Sequence, residues 1–210
     1  MTLLGGGPTH FRHVKQSLIK APILVCADSG ADLAVKHNLQ PEAVIGDMDS
    51  LSDATLAKLD PARVHHIAEQ DSTDFDKCLR SVTARAILAH GFTGGRLDHQ
   101  LAACTTLVRH PDQRCILMGE EDLCFLAPLE FQIKLPVGTR LSLYPMGQVE
   151  GRSTGLLYPI EGIAMSPATR VGTSNEVTGP VSLTLPARLM LVMLPVEYIA
   201  EVLECLTGTP

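Results

Sequence analysis

The chain has 210 residues, 45% of them hydrophobic and 19% charged, which is enough to bury one sizeable core or two small ones. Its formal net charge of -6 and its lack of a Lys/Arg cluster argue against general nucleic-acid binding, which requires a concentrated basic surface. No run approaches the ~20 apolar residues of a membrane helix, so we expect a cytoplasmic protein that binds small molecules, with no membrane partner.

The first part of the chain alternates short apolar runs with segments of helical spacing, as in an α/β domain with a Rossmann-like, largely parallel sheet. Residues 74–89 have apolar positions at helical spacing. Six strands are predicted: Leu3–Leu4, Ile23–Ala27, Ala43–Ile45, Val64–Ile67, Ala86–His90 and Cys115–Met118. Most of them run into loops rich in Gly or Asp, at the strand ends where open α/β folds bind ligands.

From about residue 126 the chain changes to short β-type runs separated by Pro and Gly, which predicts a small antiparallel sandwich or barrel. The expected strands are Phe131–Ile133, Leu141–Tyr144, Val181–Leu185 and Leu189–Leu194. The domains are therefore placed at residues 1–126 and 127–210. The six cysteines are scattered singly with no CxxC pair, so we expect reduced thiols packed as small hydrophobic side chains.

Aspartates are concentrated in the predicted loops of the first domain. Seven of the 12 in the chain lie there: Asp28, Asp47, Asp49, Asp71, Asp74, Asp76 and Asp98. In an extended segment, Asp47 and Asp49 would project to the same side. Crowded carboxylates repel one another unless a cation lies among them, and Mg²⁺ prefers such hard oxygen ligands, whereas zinc would call for Cys or more His. The competing interpretation is that single aspartates, Asp71 above all, cap helices or turns.

Two glycine-containing segments are suited to phosphate. Gly5-Gly6-Gly7-Pro8 follows a strand and lets the backbone approach a ligand, although glycines alone are weak evidence. Gly94 to Gln100 combines a flexible approach with Arg96, a cation that can contact phosphate through two nitrogens, and with Asp98 at a helix start. Lys77 would lie one helical turn from Asp74, on the same face, unless the two form an ordinary surface ion pair.

Five segments, in order, resemble the thiamine pyrophosphokinase family. They are Ala27-Asp28-Ser29-Gly30-Ala31, Gly46-Asp47-Met48-Asp49-Ser50, Asp71-Ser72-Thr73-Asp74-Phe75-Asp76-Lys77, Gly94-Gly95-Arg96-Leu97-Asp98-His99 and Gly172-Thr173-Ser174-Asn175-Glu176. Ser29 replaces a common Gly and Met48 a common Phe. Tyr158 stands where some relatives have a Trp that stacks on thiamine, or else it packs within the sandwich.

The resemblance implies that the pyrophosphoryl group of ATP moves to the hydroxyl of thiamine with release of AMP, assisted by Mg²⁺. The implied metal ligands are Asp47, Asp49, Asp71 and Asp74. The implied catalytic residues are Asp47, Asp49, Asp74, Lys77, Arg96 and Asp98. The implied nucleotide-binding residues are Gly6, Gly7, Asp28, Ser29, Gly30, Arg96 and His99. The implied thiamine-binding residues are Asp74, Gln100, Tyr158, Ser174 and Asn175.

The family also implies a homodimer whose active sites combine the first domain of one chain with the second domain of the other. Three alternatives stay open at this point: a pyrophosphokinase that acts on a hydroxymethylpterin, a protein that binds a nucleotide or metabolite without turnover, and a divalent-metal hydrolase. The Gly172–Glu176 segment, expected to be a loop, favours thiamine as the acceptor.

Overall fold

A computed structural model describes residues 1–208. The chain divides into two compact units, Met1–Glu120 and a second that begins at Glu121. The boundary placed after residue 126 in the sequence lies at the end of the first strand of the second unit. No helix in the described part of the chain is both long enough and apolar enough to cross a membrane.

The first unit contains a six-stranded parallel sheet. Its strands are β1 (Thr2–Leu4), β2 (Leu24–Ala27), β3 (Ala43–Gly46), β4 (Val64–His66), β5 (Ile87–His90) and β6 (Cys115–Met118), in the spatial order β4-β3-β2-β1-β5-β6. All six predicted strands are present, and the predicted α/β fold with a parallel sheet is confirmed. Strand order reverses direction between β1 and β5, and open α/β folds have their ligand-binding crevice at the carboxyl edge of the sheet next to such a reversal.

The helices of this unit are α1 (Phe11–Lys20), α2 (Gly30–Lys36), α3 (Asp53–Leu56), α4 (Asp74–Ser81) and α5 (Leu97–Arg109). Leu4, Val14, Cys26, Ala31 and Val44 belong to a buried core between α1, α2 and the sheet. The helix predicted over residues 74–89 is too long, because α4 ends at Ser81 and Val82 is extended. Gln113 donates hydrogen bonds to the carbonyls of Leu79 and Val82, which stabilises this early end.

The second unit is antiparallel, as predicted, and its longest strand belongs to two sheets. The elements are β7 (Asp122–Leu126), β8 (Glu130–Ile133), β9 (Arg140–Pro145), β10 (Arg152–Leu156), β11 (Thr173–Thr184), β12 (Met190–Pro195) and α6 (Ile199–Thr207). The first part of β11 pairs with β9 in the sheet β7-β12-β9-β11, and its last residues pair with β8 and β10. β7, β10 and α6 were not predicted. The Gly172–Glu176 segment is mostly strand and not the loop that was expected.

All six cysteines are free thiols. Cys26, Cys78 and Cys115 are buried, and the other three are partly buried. Burial raises the pKa of the Cys26 thiol to about 12, so this sulfur stays protonated at neutral pH.

Candidate active site

A pocket of about 650 Å³ opens at the carboxyl ends of the parallel strands in the first unit. Its walls are the loops after β1, β2, β3 and β5, together with the segment that enters α4 and the first turn of α5. The lining residues include Gly5 to Pro8, Asp28, Ser29, Asp47, Asp49, Gln70, Asp74, Arg96 and His99. The crevice that the strand order predicts is therefore where polar side chains converge.

Glycines are required where the loops after β1 and β5 run side by side. The N–H of Gly7 donates to the carbonyl of Gly91 at 3.0 Å, and Gly91 has φ +77°. A Cβ on Gly91 would lie 2.4 Å from the carbonyl oxygen of Gly5, too close for any other residue. A Cβ on Gly30, at the start of α2, would lie 2.0 Å from the carbonyl oxygen of Leu4. These contacts bring backbone directly against the pocket.

Three carboxylates from three separate elements meet at the floor of the pocket. Asp28 follows β2, Asp47 follows β3, and Asp74 begins α4 after the Thr73 N-cap. One oxygen atom from each lies within 4.8 Å of the other two, and this set, Asp28, Asp47 and Asp74, is called the acid triad below. The expectation that loop aspartates converge thus holds for these three residues.

Lys77 lies against the acid triad and is 1% exposed. Its Nζ is 2.8 Å from Oδ2 of Asp47 and 3.1 Å from Oδ1 of Asp74. Burial alone would lower the pKa of Lys77, but the hydrogen bonds to Asp47 and Asp74 outweigh it, and the pKa is raised. The hydrogen bond from Lys77 lowers the pKa of Asp47 more than burial raises it. The ammonium is therefore charged and compensates two of the three carboxylates.

Asp28 is the carboxylate that this lysine leaves uncompensated. Its Oδ2 accepts a hydrogen bond from the N–H of Ser50 at 3.2 Å, but its buried Oδ1 has no partner among the residues described. Burial, followed by repulsion from Asp74, raises the pKa of Asp28. An unpaired buried oxygen next to two further carboxylates suits a hard divalent cation, so the residues present fit Mg²⁺.

The segment that contains Asp47 and Asp49 is a turn, and the expectation of an extended conformation was wrong. Met48 has φ +63°, which folds the chain so that the N–H of Asp49 points to Oδ1 of Asp47 at 3.3 Å. Asp49 is exposed and lines the pocket beside the acid triad. The amide of Gln70 donates to Oδ2 of Asp47 at 3.1 Å. Sequence reasoning missed Gln70, although its place after β4 in the Asp-rich loop was a usable signal.

Two other aspartates are held apart from the triad. Asp71 is exposed, and its N–H donates to Glu69 at 2.8 Å within the loop before α4. Asp98 pairs with Arg96, with nitrogen to oxygen distances of 3.1 and 2.5 Å, and this hydrogen bond lowers the pKa of Asp98. Neither aspartate is among the residues that line the pocket. The metal role of Asp71 and the catalytic role of Asp98 stay predictions.

The predicted site residues in and after the glycine-rich turn before α5 differ in their places. Arg96, the N-cap of α5, and His99 are exposed and line the pocket. Gln100 uses its Oε1 to accept a hydrogen bond from the N–H of Gly94 at 3.0 Å, where Gly94 has φ +77°. In this arrangement Gln100 holds the shape of the turn that presents Arg96.

In the second unit, Ser174 and Asn175 point in different directions because side chains alternate along a strand. Ser174 is exposed, whereas Asn175 is 4% exposed. The Asn175 side chain accepts from the N–H of Tyr158 at 2.9 Å and donates to its carbonyl at 2.7 Å. Asn175 thereby secures the backbone of Tyr158, whose side chain is 59% exposed, and thiamine binding by Ser174 and Asn175 stays a prediction.

Comparisons with known proteins agree on one family. The family model described as "Thiamin pyrophosphokinase, catalytic domain" matches residues 14–118, which is half of the chain. The Arabidopsis thaliana protein named "Thiamine pyrophosphokinase 1" is 28% identical over 191 residues, covering 75% of this chain and 72% of the relative. The Caenorhabditis elegans "Thiamin pyrophosphokinase 1" is 29% identical over 196 residues, with coverage of 83% and 80%.

Solved structures show the same fold. The thiamin pyrophosphokinase from Candida albicans superimposes with a TM-score of 0.79 at 16% identity, covering 92% of this chain and 88% of that one. The yeast enzyme gives a TM-score of 0.73 at 20% identity, with coverage of 97% and 88%. Both likenesses extend over the α/β unit and the antiparallel unit, so the two-part architecture is that of these proteins.

Proposed function

The chain belongs to the thiamine pyrophosphokinase family, and from this premise we propose that it transfers the pyrophosphoryl group of ATP to the hydroxyl of thiamine. The products are thiamine diphosphate and AMP. The observation that carries the proposal is the convergence of Asp28, Asp47 and Asp74, from three loops, in a pocket beside glycine-rich backbone and Arg96. The family relationship favours thiamine over a pterin as the acceptor and a transferase over a simple binding protein.

The acid triad, with Asp49 beside it, is the proposed place for Mg²⁺. When bound, the ion would supply positive charge to the phosphates and order them for transfer. Lys77 holds Asp47 and Asp74 in place through hydrogen bonds of 2.8 and 3.1 Å. Since its ammonium is buried against these acids, we propose that Lys77 acts through them and not by direct contact with phosphate.

Phosphate binding is proposed for the glycine-rich backbone of the pocket and for Arg96. The N–H groups of Gly5 and Gly7 already donate to backbone carbonyls, so Gly6, against which Ser29 lies, is the backbone donor proposed for phosphate. Arg96 provides paired donors, after exchanging part of its contact with Asp98 for phosphate oxygens. His99 lines the same pocket. Catalysis of this kind is mainly positioning and electrostatic stabilisation, since phosphoryl transfer asks for little covalent participation by the protein.

Thiamine recognition is proposed for the second unit. The exposed ring of Tyr158 offers a stacking surface, and Ser174 offers an exposed hydroxyl for the aminopyrimidine.

We further propose a homodimer in which Tyr158 of one chain contributes to the active site that contains the acid triad of the other. The free cysteines suit a reducing compartment, and we propose the cytoplasm.

The decisive assay incubates the protein with ATP, thiamine and Mg²⁺ and separates the nucleotide products. AMP and thiamine diphosphate in equal amounts support the proposal, whereas ADP or free phosphate would indicate a different reaction. A hydroxymethylpterin in place of thiamine tests the other acceptor. Asp47→Ala and Asp74→Ala should each reduce the rate by at least about 1,000-fold. Asp60→Ala, at the cap of a short surface turn, is the matched control.

A separate experiment tests whether each active site combines residues from both chains of the proposed dimer. Asp74→Ala and Tyr158→Ala chains are each expected to be impaired, and mixing them should restore activity if one intact site forms per mixed dimer. With statistical mixing, half of the dimers are mixed, so about a quarter of the sites regain both groups. No recovery after verified subunit exchange would rule out sharing through Tyr158.

A further inference from the structure

Helix α4 has a second polar contact that faces away from the pocket. Asp74 and Lys77 are three residues apart and meet at the acid triad, whereas Asp76 lies about 200° around the helix from Asp74. Asp76 is 2% exposed and is not among the residues that line the pocket. A carboxylate buried so deeply requires partners of its own.

The partners of Asp76 come from the C-terminal end of α5. Nε2 of His110, the residue that caps α5, lies 2.9 Å from Oδ1 of Asp76, and a guanidinium nitrogen of Arg109 lies 3.4 Å from the same oxygen. Three positions beyond His110, Gln113 donates to the carbonyls of Leu79 and Val82 at 2.9 and 2.8 Å. The segment 109–113 therefore holds α4 through side chains along its length.

The other end of α5 is part of the pocket. Arg96 caps the helix and His99 lies in its first turn, and both line the cavity. With 13 residues, α5 is about 20 Å long. One rigid helix thus carries the phosphate-facing cation at its start and the contact with Asp76 at its end.

We propose that Asp76 is a positioning residue, which fixes α5 against α4 and so sets the separation between Asp74 and the turn that presents Arg96. The inference rests on the proposed function, since it assumes that both groups act on one substrate. Asp76 acts through His110 and Arg109 and makes no contact with substrate.

The test compares Asp76→Ala with Asp76→Asn. Asp76→Ala should lower kcat about tenfold or more, because displaced charges stabilise the transition state less well, while KM for thiamine changes less than about threefold. Asp76→Asn keeps an oxygen that accepts from His110, and it should retain most of the wild-type kcat. Equal kcat in wild type and Asp76→Ala would overturn the proposal.

A merely structural role makes a different prediction. Thr2→Val is the matched control, because it removes a buried hydrogen bond from Thr2 to the carbonyl of Ala21 at the end of β1 away from the pocket. Thr2→Val should lower Tm and leave kcat unchanged, measured well below Tm. If Asp76→Ala lowers only Tm in the same way, Asp76 does not position the site. If Asp76→Ala does not fold, His110→Ala, at a position that is 21% exposed, serves in its place.

A second readout does not depend on catalysis. Hydrogen exchange of residues 100–104, the first amides of α5 that are hydrogen bonded within the helix, should become faster in Asp76→Ala than in Thr2→Val, since the helix has lost its anchor at the far end. A wild-type protein that fails to modify thiamine would contradict the proposed function, and the exchange result would still decide on the contact between α4 and α5. Unchanged exchange would overturn the positioning role.

Discussion

Nζ of Lys77 lies 2.8 Å from Oδ2 of Asp47, and the lysine side chain is 1% exposed. Of the two interpretations that the sequence left open, the surface ion pair is thus excluded, and Lys77 is buried against the acids that line the pocket. A buried cation between two carboxylates compensates charge that the protein could not otherwise hold so close together.

Lys77→Met removes this compensation and leaves Asp28, Asp47 and Asp74 to repel one another. We expect metal-free protein to lose about 2 kcal/mol of stability, less than the roughly 3–5 kcal/mol of a fully buried pair, because Asp74 is partly exposed. The rate of transfer should fall at least about 100-fold. Urea unfolding and product assays check both effects. Lys58→Met, at an exposed position, is the control, and similar losses in both variants would contradict the assignment.

Asp28→Asn should make the metal-free protein more stable and the enzyme inactive. The neutral amide relieves the repulsion that raises the pKa of Asp28, and Asn tolerates φ +41° at this position. The gain in Tm that Mg²⁺ gives to the wild type should shrink, since one ligand charge is lost. Thermal melts with and without Mg²⁺ provide the measurement. If Mg²⁺ raises the Tm of Asp28→Asn as much as that of the wild type, Asp28 is not a metal ligand. Asp53→Asn, at an exposed position, is the control.

His90 predicts a pH dependence of stability that is independent of catalysis. It is fully buried, and Nε2 lies 2.8 Å from the hydroxyl of Ser17. Burial, with a smaller effect of His13, lowers the pKa of His90 to about 4. As pH falls, the unfolded chain, whose His has a pKa of about 6.5, binds a proton before the native state does. The free energy of unfolding therefore decreases by about 3 kcal/mol between about pH 6.5 and 4, compared with a protein that lacks this group.

His90→Gln should therefore flatten the wild-type loss of stability between about pH 6.5 and 4. Urea unfolding at several pH values, expressed as the difference between wild type and variant, isolates this contribution. His66→Gln, on the exposed part of β4, is expected to follow the wild type. A difference between wild type and His90→Gln that stays constant over this range would contradict the buried neutral state.

Asn175→Leu tests the proposed recognition of thiamine by Tyr158, whose backbone Asn175 holds in place. The change removes hydrogen bonds of 2.9 and 2.7 Å to the Tyr158 backbone, so the aromatic ring loses its fixed place. KM for thiamine should rise about tenfold, with KM for ATP within about twofold. Tyr158→Ala should have a similar effect, and Tyr144→Ala, at another exposed tyrosine, should not. Equal effects on both KM values would mean that Asn175 contributes only to folding.

The alternation of apolar runs and helical spacing was sufficient to predict all six parallel strands and the antiparallel second part. Strand-end loops placed Asp28, Asp47 and Asp74 on the same edge, because parallel strands present their carboxyl ends together. Local patterns failed where the backbone leaves regular geometry. Met48 turns the chain between the paired acids, and α4 ends at Ser81 although the apolar spacing continues.

The identities and order of the acidic and glycine-rich segments are properties of the sequence, since they follow from residue types and spacing alone. Only the tertiary structure decided which groups each acid contacts. Asp28 lies beside Asp47 and Asp74, Asp98 pairs with Arg96, and Asp76 contacts His110. The reason is physical. Electrostatic and hydrogen-bond energies depend on distance and burial, and for groups far apart along the chain both are set by how the elements pack.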